Sequence, residues 1–217
     1  MIELWNGLKD VRSFELVLLI LPFYGNFENM KSIQGPWIKK GYQAFAYEGP
    51  HGLKIERLSK GVGKNKSSFY HHFADLDIFT DILLKHHLEQ VHLIAEKESN
   101  CSSIEELIDI IVLHKVDLLF NRQLRIHREN KHFESCFIKT NHITAQAIIG
   151  IWSEMLGLKG KSYLARLVLK LSIENFYLQI TDKTLNHSWL KNYFKELIAL
   201  VKEFKKTGTI PELDGTV

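Results

Sequence analysis

Gly61-Val62-Gly63-Lys64-Asn65-Lys66-Ser67-Ser68-Phe69-Tyr70-His71-His72-Phe73 carries a glycine turn into a short amphipathic segment. Just upstream, Leu53, Ile55 and Leu58 mark a first short helix. Gly61 and Gly63 bracket a tight turn, and a second helix runs to about His72. Gly63 supplies the turn, where a left-handed backbone costs glycine nothing. Asn65 is placed to cap the second helix. Val62, Phe69 and Phe73 anchor that helix to a core. Two short helices across a glycine turn are the geometry of a helix-turn-helix, here over residues 53–72. The second helix of such a unit fits the major groove, where each base pair presents its own donor and acceptor pattern. Lys66, Ser67, Ser68, Tyr70, His71 and His72 are left to face a duplex. Short hydroxyl side chains permit close approach, and lysine and the tyrosine hydroxyl reach phosphates.

Charge distribution points the same way. The chain carries a net +3 over 217 residues. Residues 31–72 hold Lys31, Lys39, Lys40, Lys54, Arg57, Lys60, Lys64 and Lys66 against Glu48 and Glu56, a net of +6, so the rest of the chain sums to −3. A basic block beside a near-neutral remainder is the footprint of phosphate binding. Charge alone fits a solvated basic face equally well.

Working outward, residues 37–48 read as a helix, with Ile38, Tyr42, Phe45 and Ala46 at helical spacing and Pro36 suited to its first turn. Gly49-Pro50-His51-Gly52 breaks it. Asp75 is a good N-cap for a long helix to about Lys97, with Ile78, Phe79, Ile82, Leu83, Val91 and Ile94 as its apolar positions. Ser102-Ser103 with Glu106 make a capping-box pattern and open a helix to about Phe120. Residues 121–133 are strongly polar, with room for a short helix. Further helices span about 134–156, stopping at Gly157, then 161–180, and about 188–206 with lysines in the last turn. No strand and no internal repeat is visible, so the fold class is all-α.

Residues 1–29 differ in composition. The apolar run from Phe14 to Tyr24 is too short to span a bilayer. It lacks the cationic start and small-residue cleavage pattern of a signal peptide. Residues 1–29 therefore read as a non-native or loosely attached extension, with Met30 the expected true start, and the domain division is drawn after residue 30. The alternative is an N-terminal element packed on the domain. Cys101 and Cys136 show no metal or redox spacing, which fits a reduced intracellular setting.

The stretch over residues 61–73 resembles the recognition-helix signature of TetR-type regulators. Aligned on Tyr70 and Phe73, Gly63 falls on the turn glycine, Asn65 on the capping serine, Lys66 on the usual lysine and Ser68 on the threonine. The resemblance covers residues 37–95 and extends further only as helix number and length. Two positions depart from it. Lys64 replaces an apolar turn residue, which either loosens the packing there or adds a phosphate contact, and Leu76 replaces the usual lysine at the start of the fourth helix, removing one expected phosphate contact.

The resemblance implies a DNA-binding domain over residues 31–74, with Lys54, Lys64, Asn65, Lys66, Ser67, Ser68, Tyr70, His71 and His72 at the DNA. It implies a helical regulatory and dimerisation domain over 75–217. It further implies a cytoplasmic, ligand-responsive repressor that binds a palindromic double-stranded operator as a homodimer, with an unknown small-molecule effector, no cofactor and no membrane partner. The last two helices would pair with those of a second subunit, with Leu171, Phe176, Trp189 and Phe194 as candidate interface residues. Periodicity alone fits an ordinary intramolecular core face as well. His114, Phe137, His142 and Trp152 are the candidate pocket residues.

The runner-up is a helical binding or metal-dependent protein. Eleven histidines include two Glu-x-x-His steps, Glu89/His92 and Glu129/His132. Such steps occur in di-iron bundles, but the second lies in a polar run, and incidental spacing in a histidine-rich chain explains both. No Ser-His-Asp arrangement, phosphate loop or dinucleotide fingerprint is visible. No catalytic or metal-ligating set is therefore assigned.

Overall fold

The computed structural model describes residues 33–206. The expected extension over residues 1–29 and the tail past residue 206 lie outside them. Among the described residues every regular element is helical: α1 (33–48), α2 (Ile55–Val62), α3 (Lys66–His72), α4 (Leu76–Ser99), α5 (Ile104–Leu113), α6 (Lys115–Ile126), α7 (Lys131–Met155), α8 (Ser162–Gln179) and α9 (His187–Lys206). None of them is long and apolar enough to cross a membrane.

Local chemistry sets most boundaries. Asp75 caps α4 by accepting from the Ile78 N–H at 2.8 Å. Ser103 caps α5 through the Glu106 N–H, while the Glu106 carboxylate reaches back to the Ser102 N–H at 2.8 Å. Gly157, at φ 61°, ends α7. There the Leu158 N–H returns to the Ser153 carbonyl at 2.7 Å, and Lys205 donates to the Leu156 and Gly157 carbonyls.

Three boundaries depart from the sequence reading. Gly61 does not bracket the turn; it is the seventh residue of α2, where it faces the aliphatic stem of Lys40. The helix expected from Ser103 to Phe120 is two helices, broken at His114 (φ −99°, ψ 27°), a position without glycine or proline. There the imidazole bonds Asp117, three residues on, at 3.2 Å, and Lys97 of α4 at 2.9 Å, the second a contact that no local pattern encodes. The polar stretch after Phe120 accordingly holds the end of α6 and the turn after it, and α7, capped by Asn130, starts at Lys131, three residues earlier than expected.

The long helices α4 and α7 pack on each other and form the spine, with α6 and α8 alongside α7 and α5 against α9. The first three helices stand on one end of α4. Trp37 of α1 meets Phe69 and Phe73 edge-on, and both phenylalanines meet Phe79 of α4. A Cβ at Gly41 would stand 2.5 Å from the Phe79 ring, so a larger residue there would separate α1 from α4. The second half of α1 is gripped by the larger domain: Tyr42 stacks on Phe120 at 4.4 Å, and Phe45 contacts Phe120 and Phe133. One continuous apolar core therefore runs from the small head into the body.

Candidate nucleic-acid interface and interior cavity

The turn between α2 and α3 has a physical cause at each residue. Gly63 sits at φ 70°, ψ 31°, in the left-handed region. Its N–H bonds the Lys60 carbonyl at 3.2 Å, and the Lys64 N–H bonds the Ser59 carbonyl at 2.9 Å. This pair of returning bonds is a Schellman motif, which favours glycine at the left-handed position. Lys64 occupies the position that usually makes an apolar contact back to the helix, and its side chain is exposed instead. Asn65 then starts α3, its Oδ1 accepting from the Ser68 N–H at 2.8 Å. Phe69 and Phe73 point inward, and Val62 packs partly buried against the same core.

With that face buried, the opposite face of α3 is set. Lys66, Ser67, Tyr70 and His71 are exposed, Ser68 and His72 are half-buried, and Lys64 and Asn65 lie exposed at the turn. Lys54 is exposed at the start of α2, whose N-terminus has no side-chain cap. Two ion pairs cross this region. Arg57 holds Glu48 with both guanidinium nitrogens, and Lys66 holds Glu56. These pairs pull both carboxyls below their ordinary range, Glu48 chiefly through its hydrogen bond with Arg57 and Glu56 through its hydrogen bond with Lys66. Pairs this exposed are weak and exchange readily with other anions.

Inside the body, a cavity of about 70 Å³ opens among α4–α9, lined mostly by apolar side chains including Leu107, Ile148, Leu169 and Phe194. Several polar side chains also line it, and two of them carry a buried atom without a partner. Glu98, 5% exposed, presents Oε2 without a hydrogen-bond partner, and Trp152, 3% exposed, presents Nε1 likewise. Burial raises the Glu98 carboxyl to about 7. Elsewhere on the wall the Tyr193 hydroxyl donates to the Ser172 carbonyl at 3.1 Å, and Asn141 Oδ1 accepts from Asn121 at 3.2 Å.

A polar chain leads from this wall to the head. Asn121 Oδ1 accepts from Thr140 at 2.7 Å and lies 3.4 Å from His87 Nε2. The other ring nitrogen of His87 is 2.7 Å from the Tyr42 hydroxyl, which also donates to Asp117 at 2.7 Å. Burial holds His87 down to about 4, so it is neutral, and burial with the adjacent Asp117 raises the Tyr42 hydroxyl.

The expected pocket residues separate in space. Trp152 lines the cavity. Phe137 and the exposed His142 lie on a different, open groove between α7 and α8, and His114 lines neither, being tied to Asp117 and Lys97. Among the interface candidates, Leu171 is exposed, while Phe176 and Trp189 are half-buried in an aromatic cluster with Tyr193. Phe194 turns inward and lines the cavity, so the interface role expected of it is withdrawn. Among the described residues no three His, Cys, Asp or Glu side chains come together as a metal site.

Sequence reasoning missed Glu98, Tyr42, His87 and Asn121. Glu98 was within reach: it follows Val91 and Ile94 at seven- and four-residue steps, on the buried face of α4.

No protein-family model and no curated protein matches the chain. Solved structures do. A protein of Mesorhizobium loti MAFF303099 assigned to the TetR family of transcriptional regulators superposes with a TM-score of 0.52 at 14% identity, covering 82% of this chain and 97% of its own. Another assigned to that family, from a Rhodococcus species, gives 0.47 at 12% identity, covering 79% and 97%. At such identities the likeness is one of fold: the chain has the all-α TetR-type fold.

Proposed function

We propose that this chain is a DNA-binding transcriptional regulator. It docks α3 in the major groove and binds a palindromic operator as a homodimer. A small effector bound in the body weakens that binding, so the protein acts as a repressor in the cytoplasm. Residues 31–74 form the reading head and 75–217 the regulatory and dimerising body.

The observation that carries this reading is the two-sidedness of α3. Phe69 is fully buried against Trp37 and Phe79, while Lys66, Ser67, Tyr70 and His71 stand together in solvent beside Lys64. Short polar residues flanked by cations suit a groove edge bordered by phosphates. Lys66 and Tyr70 contact the backbone in this reading, and Ser67, Ser68, His71 and His72 approach bases. Lys54 and the uncapped start of α2 meet the neighbouring phosphate.

The TetR-type fold and the apolar row on α8 support the homodimer. Tyr163, Leu167, Leu171 and Leu178 are all exposed along one side of that helix. Exposed apolar surface of this extent is characteristic of an interface. Regulation then needs only that effector and operator prefer different spacings of the paired heads.

The test is a salt titration of duplex binding. Lys66→Ala should weaken binding to all duplexes alike and lower the slope of log affinity against log salt by about one. Glu56→Gln, which frees Lys66, should strengthen binding. An unchanged slope in Lys66→Ala would remove the phosphate contact from the account.

A further inference from the structure

We propose that the interior cavity binds a small organic cation, a short-chain alkylammonium, through an ion pair with Glu98. This deepens the effector reading above and rests on it only for its regulatory meaning; the binding site itself stands on the cavity's own chemistry.

Glu98 lies in the last turn of α4, inside an apolar wall, with one carboxylate oxygen unpartnered. An ionised buried carboxylate without a partner is costly, so Glu98 is relieved either by a proton, as its raised value reflects, or by a cation beside it. Its position makes the cost larger, because the C-terminal end of a helix carries negative partial charge. The protein supplies no compensating cation: the neighbouring Lys97 turns outward to His114, and burial is the sole cause of the raised Glu98 carboxyl. The Tyr193 hydroxyl, which could have served, donates to the Ser172 carbonyl instead.

What is missing from the cavity is thus a group with positive charge and N–H donors. An anion would be repelled by Glu98, and a neutral alcohol would offer a hydrogen bond without the charge. The wall suits the rest of such a ligand. Leu107, Ile148 and Leu169 take an alkyl group, and Phe176, Tyr177 and Phe194 add to the lining aromatic rings, a class of group whose faces attract cations. The second orphan, the Trp152 N–H, marks a place for an oxygen acceptor on the same molecule. Size limits the body: at about 70 Å³ the space is under half of the roughly 150 Å³ that admits benzene, which leaves room beside the ammonium for only one or two carbons.

The experiment compares methylammonium, methanol and formate by calorimetry on the full chain without DNA, at pH 8, where Glu98 is ionised. Methylammonium should bind roughly tenfold more tightly than the alcohol, the worth of one charge-assisted hydrogen bond, and formate should not bind. Glu98→Gln should bring ammonium affinity down to that of the alcohol and leave the alcohol unchanged, which also reports that the variant is folded. Equal affinities in the wild type, undiminished ammonium binding in Glu98→Gln, or no binding of ammonium at all would each overturn the proposal. Because DNA is absent, a failure here leaves operator binding standing. Conversely, ammonium binding in a chain that ignores duplex DNA would sink the regulatory reading and keep the site.

Discussion

Glu98 and His87 are two buried titratable groups that pull stability in opposite directions. The fold raises the Glu98 carboxyl from 4.5 to about 7, so the native state holds more protons than the unfolded chain in that window, and stability falls as pH rises through it. The fold lowers His87 from 6.5 to about 4, so the unfolded chain holds more protons there, and stability falls as pH drops through that window. Each displacement corresponds to about 3 kcal/mol. Between pH 4.5 and 6.5 the two slopes nearly cancel, and wild-type stability should be close to flat in chemical denaturation. Glu98→Gln should stabilise the protein above pH 7 and expose the His87 slope, with stability dropping steadily below pH 6.5. A variant whose pH profile parallels wild type would show that Glu98 is solvated in the native state. Of the two, Glu98 was within reach of the sequence, at helical steps from Val91 and Ile94, whereas a histidine on a mixed helix is placed only by its neighbours Tyr42, Phe120 and Asn121 on other helices.

At the level of elements, the helix-turn-helix was legible because its signals are local: a left-handed glycine, an asparagine cap and two inward phenylalanines within eleven residues. The break at His114 was not legible, because it lacks glycine or proline and its imidazole is held in part from another helix, by Lys97. The pocket residues failed to converge for a similar reason, since facing across the bundle is set by how α4 to α9 pack. The locality of the turn makes it testable. A Cβ at Gly63 would meet nothing within 4 Å, so the demand for glycine comes from φ alone. Gly63→Val should cost about 1–3 kcal/mol and weaken duplex binding while circular dichroism stays helical. Gly63→Asn, which tolerates the left-handed region, should recover most of both. If valine and asparagine behave alike, the turn is not held at positive φ in solution.

For the whole molecule, the single core joining head and body gives the proposed switch its mechanical basis. α4 carries Glu98 at one end and Phe79, under the reading head, at the other, while α6 contributes Leu118 to the cavity and Phe120 to the grip on α1. A shift of either helix on effector binding would therefore reorient the head. Reading an operator also needs two heads, because one short helix contacts too few base pairs to select a site. Leu171, 63% exposed on α8, is the position to test pairing. Leu171→Glu should yield monomers in sedimentation, with the monomer fold intact, whereas an unchanged mass would place the seam elsewhere. The most direct test of the central claim is selection of bound duplexes from a random DNA library by the wild-type chain, with protomers per duplex counted on the winners. The account predicts an inverted repeat, half-sites about one helical turn or a multiple of it apart, bound by an even number of protomers. Selection that converges on no sequence, or a monomer bound to an asymmetric site, would contradict it.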